Sequence, residues 1–332
     1  MPQAPDSYAD LTPDFVLDAL DEVGLRGDGR LMQLNSYENR VFQIYLEDGR
    51  VVVAKFYRPG RWSDAQILEE HAFALELVAA EVPMVPPLDL GGRTLVAIEH
   101  EGVRHRFAVS ERHAGRSPEL DDPEVLRWLG RFIGRLHAVG AQHPFAHRRR
   151  LDVATFGEAS RALLLEHDVI PDAQRPGWQA MCDAALEAVR SAFDTAGAVC
   201  ALRLHGDCHP GNLLWRPEEG PHFVDLDDAC MGPAVQDLWM LMSGDRESMA
   251  GQMRWLLDGY GAFMTFDARE LSLIEPLRTL RMVHHSAWIA ERWTDPAFPA
   301  AFPWFGSGAY WSQQTTQLRE QLEAIGEGAI EV

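Results

Sequence analysis

Three polar residues in one stretch of the sequence have the types and the spacing that phosphoryl transfer requires. Asp207 lies in a turn-rich segment, Asn212 follows it by five residues, and Asp225 follows a short apolar run. One carboxylate can take the proton of an acceptor hydroxyl, while a second carboxylate and an amide oxygen can hold a magnesium ion. Asp225, Asp227 and Asp228 would also repel one another unless a cation neutralised them, with Asp225 as the main ligand and Asp227 as a helper. The stretch therefore predicts magnesium-dependent phosphoryl transfer.

The backbone around these residues is predicted to bend before it becomes regular again. Gly206, Pro210 and Gly211 favour turns, so that the polar side chains of this loop can point into one cavity. Residues 223–228 are then predicted to form a strand with Asp225 on one face.

The loop also allows two other interpretations. His205, Cys208 and His209 could form a metal cluster, but zinc would need three or four converging ligands, and the other cysteines are not spaced to supply them. Cys208, next to Asp207, is a candidate redox-sensitive thiol, although most cysteines act as small hydrophobic side chains.

Upstream, two apolar runs have the pattern of a β-hairpin. Residues 41–46 and 51–57 are separated by the tight-turn signal Asp48-Gly49. Lys55 is the lone charge of the second run and shares a face with Val53 and Tyr57. Because an unpaired buried ammonium is costly, Lys55 either has an anionic partner or lies at a solvated edge.

The following helix offers that partner. Ser63 and Gln66 form a capping-box pattern that starts a helix over 63–77. Helical spacing puts Glu70 among inward-facing apolar residues, whereas Glu69 shares a polar face with Gln66. We therefore predict that Glu70 is the partner of Lys55, with Glu69 as the solvated alternative.

The pattern His205-x-Asp207-x4-Asn212, with Asp225 downstream, resembles the catalytic loop and metal aspartate of the kinase-like phosphotransferases. This superfamily includes aminoglycoside phosphotransferases, choline kinases and homoserine kinases. Gly206 stands where protein kinases carry arginine, so control by a phosphorylated activation loop paired to that arginine is not carried over. The resemblance implies an α+β, two-lobed protein-kinase-like fold, with a small antiparallel-sheet N-lobe (1–112) and a larger, mostly helical C-lobe (113–332). Residues 110–115 fall where the hinge that binds adenine through its backbone is expected.

Composition limits the classes of partner. The 332 residues include 30 Lys and Arg against 50 Asp and Glu, a net charge of −20 that argues against nucleic acid. The four cysteines lack the spacing of a disulfide scaffold or a zinc site. Residues 1–6 lack the basic and apolar regions of a secretion signal, and no apolar run is long enough for a membrane span. We expect a cytoplasmic protein with reduced thiols and no membrane contact.

The C-lobe is predicted to be mostly helical, whereas residues 94–99 and 106–109 are predicted to form strands of the N-lobe. His137, at the end of one helix, is predicted to be structural, and Asp237 either caps its own helix or hydrogen-bonds the catalytic-loop backbone. The basic run 147–150 is predicted to be a solvated loop. The aromatic, proline-rich segment 295–304 either covers the C-lobe or forms a wall of the acceptor cleft. Helices are predicted over 12–23, 123–137, 181–193, 234–241 and 275–293.

Further stretches extend the resemblance to one subgroup. They are Asn35-Ser36-Tyr37-Glu38-Asn39-Arg40, Lys55-Phe56-Tyr57-Arg58-Pro59, Ala234-Val235-Gln236-Asp237-Leu238-Trp239 and the segment 295–304. Over about residues 12–312 the chain resembles the bacterial stress response kinase A family of atypical serine/threonine protein kinases. By position, the resemblance implies that Ser36 joins Lys55 in the nucleotide site, where Glu70 steadies the lysine. It also implies that Asp207 is the base, that Asn212 and Asp225 hold Mg²⁺, and that Asp225 transiently accepts phosphate.

The function implied by this resemblance is ATP- and magnesium-dependent transfer of the γ-phosphoryl group to a serine or threonine of a protein. Autophosphorylation and a place in a bacterial stress response are implied as well, and the enzyme is expected to be a monomer. The same catalytic core equally supports a small-molecule phosphotransferase for amino alcohols or aminoglycosides. The acceptor class therefore stays open at the level of the sequence.

Overall fold

A computed structural model of the chain describes Tyr8 and residues 11–332, so the segment 1–6 lies outside the described residues. Two compact units are present. The first contains the chain up to Pro118 together with Gly211–Asp227, and the second contains Glu119–Pro210 and Asp228–Val332. The predicted lobe boundary at residue 112 stays a prediction.

An antiparallel five-stranded sheet forms the centre of the first unit. Its strands lie in the order Gly27–Leu34 (β1), Arg40–Leu46 (β2), Val51–Phe56 (β3), Val103–Glu111 (β5) and Val96–His100 (β4). The predicted hairpin is confirmed as β2 and β3, and Gly49 supplies the left-handed residue of its turn with φ 86°. β1 was not predicted, because this edge strand is mostly exposed and lacks apolar alternation. The strands of the described residues are β1 Gly27–Leu34, β2 Arg40–Leu46, β3 Val51–Phe56, β4 Val96–His100, β5 Val103–Glu111, β6 Leu202–Leu204, β7 Leu213–Arg216, β8 Gly220–Phe223 and β9 Cys230–Gly232.

Two helices begin at the capping residues that the sequence predicted. Thr12 caps the first helix, and Ser63 and Gln66 form both hydrogen bonds of the predicted capping box. The predicted helix over 234–241 contracts to one turn, and a short helix interrupts the predicted loop 295–304. The helices are α1 Pro13–Asp21, α2 Asp64–Ala79, α3 Pro123–Gly140, α4 Ala159–Glu166, α5 Arg175–Ala196, α6 Gln236–Trp239, α7 Arg246–Tyr260, α8 Ile274–Glu291, α9 Ala297–Ala301 and α10 Gly308–Gly326, with a π-helical turn at Val153–Glu158.

The two faces of β3 have different roles in the first unit. Val52, Ala54 and Phe56 are buried in an apolar core that also includes residues of α1. The alternate face carries Val53 and Lys55, which are partly buried. Burial of the first face fixes the register, because a slip by one residue would turn Lys55 into the core.

The hairpin of β7 and β8 belongs to the first unit through backbone bonds. Val85 N–H donates to the Phe223 carbonyl at 3.0 Å, and Phe223 N–H donates to the Pro83 carbonyl at 2.8 Å. The predicted strand over 223–228 is wrong beyond Phe223, because Asp225 adopts the left-handed φ of 63° and Leu226–Asp228 forms a 3₁₀ turn. Aspartate tolerates this conformation better than most side chains, and here the Asp227 N–H donates to Asp225 Oδ1 at 3.4 Å.

The second unit is mostly helical, and β6 pairs with β9 in a two-stranded antiparallel sheet. The predicted helices near 123–137, 181–193 and 275–293 are confirmed as α3, α5 and α8 with shifted ends. Across the described part of the chain, none of the helices combines the length and the apolar character that crossing a bilayer would require.

Gly206 follows β6 and fixes the path of the catalytic-loop segment. Its φ is 85°, and a Cβ atom at this position would overlap the Asp228 carbonyl. Both features exclude a side chain without rearrangement. This accounts for glycine at the position where protein kinases carry arginine.

We expect Gly206→Ala to destabilise the second unit by about 2 kcal/mol or more, since left-handed strain and a backbone clash add. Chemical denaturation measures the loss. Gly251→Ala is the control, because Gly251 lies in α7 and its added Cβ would have no neighbour within 4 Å. Equal stability of Gly206→Ala and wild type would contradict the assigned constraint.

Candidate functional site

A cavity of about 500 Å³ lies in the first unit. Its volume is within the range of ligand pockets, which is roughly 300–1,000 Å³. Apolar side chains from several strands contribute to its walls, among them Val41, Ala108 and Leu214. The predicted hinge, residues 110–115, also lines it. The lining thus combines apolar side chains with charged groups such as Lys55 and Asp225.

Lys55 is the main positive charge of that polar side. Its Nζ lies 2.9 Å from Asp225 Oδ1, 3.0 Å from Asp227 Oδ1 and 3.9 Å from Glu70 Oε1. Burial lowers the pKa of the Lys55 ammonium, but the charges of Asp225, Asp227 and Glu70 outweigh burial and hold that pKa well above its usual value. The side chain is 18% exposed, so the solvated-edge alternative is wrong.

Glu70 reaches Lys55 from α2. Its neighbours at helical spacing, Ile67, Phe73 and Leu77, are buried, and Glu70 itself is 6% exposed. Glu69 is only partly buried. Glu70 therefore lies on the buried face of α2, as helical spacing predicted. The structure brings Glu70 rather than Glu69 next to Lys55.

Asn212 and Asp225 flank the open end of the β7–β8 hairpin. Leu213 pairs with Phe223 in the last register position, and the Val224 N–H donates to the Asn212 carbonyl at 3.1 Å. The Asp225 side chain is 51% exposed and lines the cavity. The two predicted ligands therefore come from neighbouring ends of one short hairpin.

This donor set fits magnesium. Among the residues that the structure describes, no group of three or more His, Cys, Asp or Glu side chains could hold a metal ion. Magnesium does not need such a cage, because it keeps several waters and binds one or two carboxylates together with phosphate oxygens. One exposed carboxylate beside an amide residue matches that requirement.

Repulsion among the three acids does not by itself require a metal. Lys55 pairs with Asp225 and Asp227, and Arg149 Nη2 lies 2.9 Å from Asp228 Oδ1. Each acid therefore has a side-chain cation, so repulsion among them does not indicate a metal ion. The donor chemistry of Asn212 and Asp225 still fits magnesium.

Arg61 is a member of this network that sequence reasoning missed. It pairs with Asp227 and lies 3.3 Å from Glu38 Oε2 through its Nη1 atom. Arg58 also binds the Glu38 carboxylate, at 3.0 Å. The basic run that follows β3 could have suggested a role for these arginines, but only the fold shows which acids they meet.

Ser36 lies on the loop between β1 and β2 and lines the cavity. Its Oγ accepts a hydrogen bond from the Asn39 N–H at 3.4 Å. The Asn39 side chain accepts from the Arg58 N–H at 3.1 Å. These bonds hold the loop to the end of β3, so that Ser36 keeps a defined place on the cavity wall.

In the second unit, a buried aspartate holds the catalytic-loop segment. Asp237 accepts backbone hydrogen bonds from His205 at 2.8 Å and Gly206 at 2.9 Å. His137 Nε2 lies 3.1 Å from the same carboxylate, and its Nδ1 lies 3.0 Å from the Tyr260 hydroxyl. The predicted bond between Asp237 and the loop backbone is confirmed, and so is the structural role of His137.

Asp207 is held by two basic groups. Arg281 Nη1 lies 2.7 Å from Oδ1, and His209 Nε2 lies 3.4 Å from Oδ2. Burial raises the pKa of the Asp207 carboxyl, but the bond from His209 and the charge of Arg281 outweigh burial and hold that pKa well below its usual range. Such a carboxylate is ionised at neutral pH and can orient a hydroxyl while remaining a weak base. Arg281 was missed because nothing local in the sequence relates α8 to the loop.

The other interpretations of the loop lose support. Cys208 is fully buried, and burial raises the pKa of its thiol well above the usual value, which disfavours the reactive thiolate. The basic run is not simply a solvated loop. Arg148 is buried and donates to the Ala229 carbonyl at 2.9 Å, and Arg149 pairs with Asp228.

Glu270 supports the segment that carries Asp237. It is 2% exposed, and its Oε2 accepts from the Val235 N–H at 2.9 Å. Burial raises the pKa of its carboxyl from 4.5 to about 7. The folded chain therefore keeps a proton that the unfolded chain has lost, and this residue makes stability fall as pH rises from about 4.5 to about 7.

We expect Glu270→Gln to remove most of this dependence, a difference on the order of 3 kcal/mol between pH 4.5 and pH 8. The free energy of unfolding against pH, from urea titrations of variant and wild type, measures it. Glu247→Gln, at an exposed position of α7, controls for the lost charge. Parallel curves for Glu270→Gln and wild type would contradict the assignment.

Sequence comparisons give the chain's relatives. The sequence pattern of the Phosphotransferase enzyme family matches residues 30–274. Stress response kinase A of Salmonella choleraesuis is 44% identical over 326 residues, which cover 98% of this chain and 97% of the relative. Stress response kinase A of Escherichia coli K12 gives the same identity and coverage. So does a Salmonella typhimurium protein named serine/threonine protein kinase RdoA.

Structural comparisons confirm the predicted α+β, kinase-like fold. Amicoumacin kinase in complex with AMP-PNP, Ca²⁺ and Ami has a TM-score of 0.72 at 19% identity, with 94% of this chain and 93% of that chain covered. A microcompartment-associated aminopropanol kinase has a TM-score of 0.71 at 17% identity, with 95% and 99% covered. By sequence family, close relatives and fold together, the chain belongs to the phosphotransferase enzyme family and, within it, to the stress response kinase A family, as an ATP-dependent phosphotransferase.

Proposed function

We propose that this enzyme is a magnesium-dependent serine/threonine protein kinase that acts in a bacterial stress response and also phosphorylates itself. The observation that carries the proposal is the 44% identity, over nearly the full length, to a relative named as a serine/threonine protein kinase. The charged groups of the first unit support the chemistry, because Lys55 and Asp225 line the cavity and Asn212 lies at the same end of the β7–β8 hairpin as Asp225.

On the nucleotide side, the proposal gives each residue one task. Lys55 binds the α- and β-phosphate oxygens of ATP, and Glu70 keeps the ammonium in place. Ser36 contacts the nucleotide from the loop above the sheet. Asn212 and Asp225 hold Mg²⁺, which when bound neutralises charge on the transferred phosphoryl group. Lys55 then exchanges its contact with Asp225 for phosphate oxygens.

On the acceptor side, Asp207 orients the hydroxyl and receives its proton. The acceptor oxygen forms a bond to the γ-phosphorus as the bond from that phosphorus to the bridging oxygen of ADP breaks. A weakly basic carboxylate suits this step, because most of the proton transfer can follow the loss of the leaving group. Asp225 is also the residue that would carry a transient acyl phosphate, as the family resemblance implies.

We expect Asp207→Asn and Asp225→Asn to abolish phosphoryl transfer for different reasons. Loss of the base should leave the affinity for Mg·ATP nearly intact, whereas loss of the metal ligand should weaken it by about tenfold or more. Calorimetric titration with Mg·AMP-PNP measures both affinities. Equal nucleotide affinity in the two variants would contradict these roles.

We expect Lys55→Ala and Glu70→Ala to be strongly non-additive in kcat/KM, because either change alone disables the phosphate clamp. Glu69→Ala is the matched control on the same helix and should have little effect. Additive effects of Lys55 and Glu70 would mean that Glu70 only contributes packing.

The acceptor class is tested with labelled ATP. Wild type and Asp207→Asn are incubated alone and with a generic basic protein, and the labelled products are treated with acid and base. Acid-stable, base-labile label that depends on Asp207 supports phosphoserine or phosphothreonine. Label that is labile to base and hydroxylamine would indicate an acyl phosphate on Asp225.

One observation favours the alternative of a small-molecule phosphotransferase, since the solved structures named above are kinases of small molecules. Their identity to this chain is below 20%, so the likeness concerns the fold alone. Absence of protein label, together with ADP release on an amino alcohol or aminoglycoside, would overturn the protein-kinase proposal in favour of that alternative.

A further inference from the structure

Arg281 reaches the catalytic carboxylate from α8 and keeps much of its surface in water. Its Nη1 atom lies 2.7 Å from Asp207 Oδ1, yet the arginine side chain is 42% exposed, against 20% for Asp207. A guanidinium has five N–H donors arranged as a planar fork. One contact to Asp207 therefore leaves donors on the exposed edge that can bind a second anionic group.

The surroundings of Asp207 in the second unit are basic rather than acidic. His209 lies on the other carboxylate oxygen and is 37% exposed. His285 follows Arg281 by one helical turn, and burial together with the charge of Arg281 lowers the pKa of its imidazole, so it lies in the same region without adding positive charge. An acceptor that approaches Asp207 in this unit meets the guanidinium of Arg281 next to it.

The helix continues from these basic residues into aromatic ones. His285 stacks on Trp288 with ring centroids 5.7 Å apart and meets the edge of Phe302 at 6.4 Å. Trp304 lies against Phe302 at 5.7 Å and is 42% exposed. The segment 295–304 therefore mainly packs on the second unit, and it also adds an apolar border to the basic surface.

We propose that Arg281 binds an anionic group, a carboxylate or a phosphoryl group, that lies beside the acceptor hydroxyl, so that the preferred acceptor is a serine or threonine in an acidic peptide segment. This inference adds a substrate preference to the proposed function. The peptide nature of the acceptor rests on that proposed function. A guanidinium binds such groups through charge-assisted, bidentate hydrogen bonds. A polycationic acceptor would instead meet like charge at Arg281.

Recognition of the acceptor by Arg281 and simple positioning of Asp207 lead to different effects when Arg281 is removed. If Arg281 only oriented the base, its removal would slow all acceptors by the same factor. If Arg281 binds the acceptor, its removal changes the ratio of kcat/KM between acidic and neutral acceptors. The ratio of kcat/KM for acidic and neutral peptides is therefore the readout, and it does not depend on the absolute rate.

The test uses serine peptides that differ only in one flanking residue, which is glutamate, phosphoserine, glutamine or lysine. We expect wild type to prefer the anionic peptides by about tenfold, the size of one charge-assisted hydrogen bond. Arg281→Ala should bring the ratio close to one, and Arg281→Glu should reverse it in favour of lysine. Arg254→Ala, which removes an exposed arginine from α7, should keep the wild-type ratio. The glutamate and phosphoserine peptides show which anion is preferred.

Several outcomes would overturn the inference. They are a wild type that ignores the flank or prefers lysine, and an Arg281→Ala variant that folds, as checked by circular dichroism, and keeps the ratio. Should Arg281→Ala fail to fold, the wild-type flank profile and Arg281→Lys, which keeps the charge and should keep the preference, decide instead.

Failure of the proposed function has a different signature. If no peptide is labelled while small alcohols release ADP, the protein acceptor is wrong, and the same ratio is then measured with hydroxy acids against amino alcohols of equal length. A preference for hydroxy acids that Arg281→Ala removes would keep the role of Arg281. A preference for amino alcohols would reject it.

Discussion

The ammonium of Lys55 is the charge on which the first unit depends. It lies on a partly buried strand face, where an unpaired cation would be destabilising, and carboxylates from α2 and from the segment after β8 offset that cost. Removal of one partner from such a network typically costs about 3–5 kcal/mol, because the remaining charges are left uncompensated. One lysine thus fixes the position of the sheet, the helix and the hairpin end around the same cavity.

Arg61 extends this dependence to the loop that carries Ser36. Because it contacts both Glu38 and Asp227, the loop between β1 and β2 is joined to the segment after β8 by charge as well as by backbone bonds. Side chains in the centre of this network are at most 12% exposed, apart from Lys55 and Asp225. The two more accessible charges are those assigned to phosphate and metal. The network therefore contains two kinds of charged side chain. The buried ones stabilise the fold, and the more accessible ones, Lys55 and Asp225, can bind ligands.

Sequence patterns among residues close together in the chain predicted the helices and strands that depend on local interactions. Capping residues gave the starts of α1 and α2, the turn at Asp48-Gly49 gave the hairpin, and helical spacing distinguished Glu70 from Glu69. The predicted strand over 223–228 is wrong beyond Phe223, because no sequence signal marks a left-handed backbone conformation when the residue is aspartate. The partners Arg61 and Arg281 lie 166 and 74 residues from the acids they bind (227 − 61 and 281 − 207), and no periodicity encodes contacts at that separation.

The same limit applies to net charge. A total of −20 favours cationic partners at long range, and from the sequence an acidic enzyme could attract basic peptides or cationic small molecules. At physiological ionic strength, however, exposed charges act over about 8 Å, so the groups next to a reacting atom outweigh the average over the surface. Around Asp207 in the second unit those groups are Arg281 and His209. They also offset the effect of burial, which by itself raises the pKa of the Asp207 carboxyl. In our proposal, the side chains that hold the pKa of Asp207 low therefore also select the acceptor.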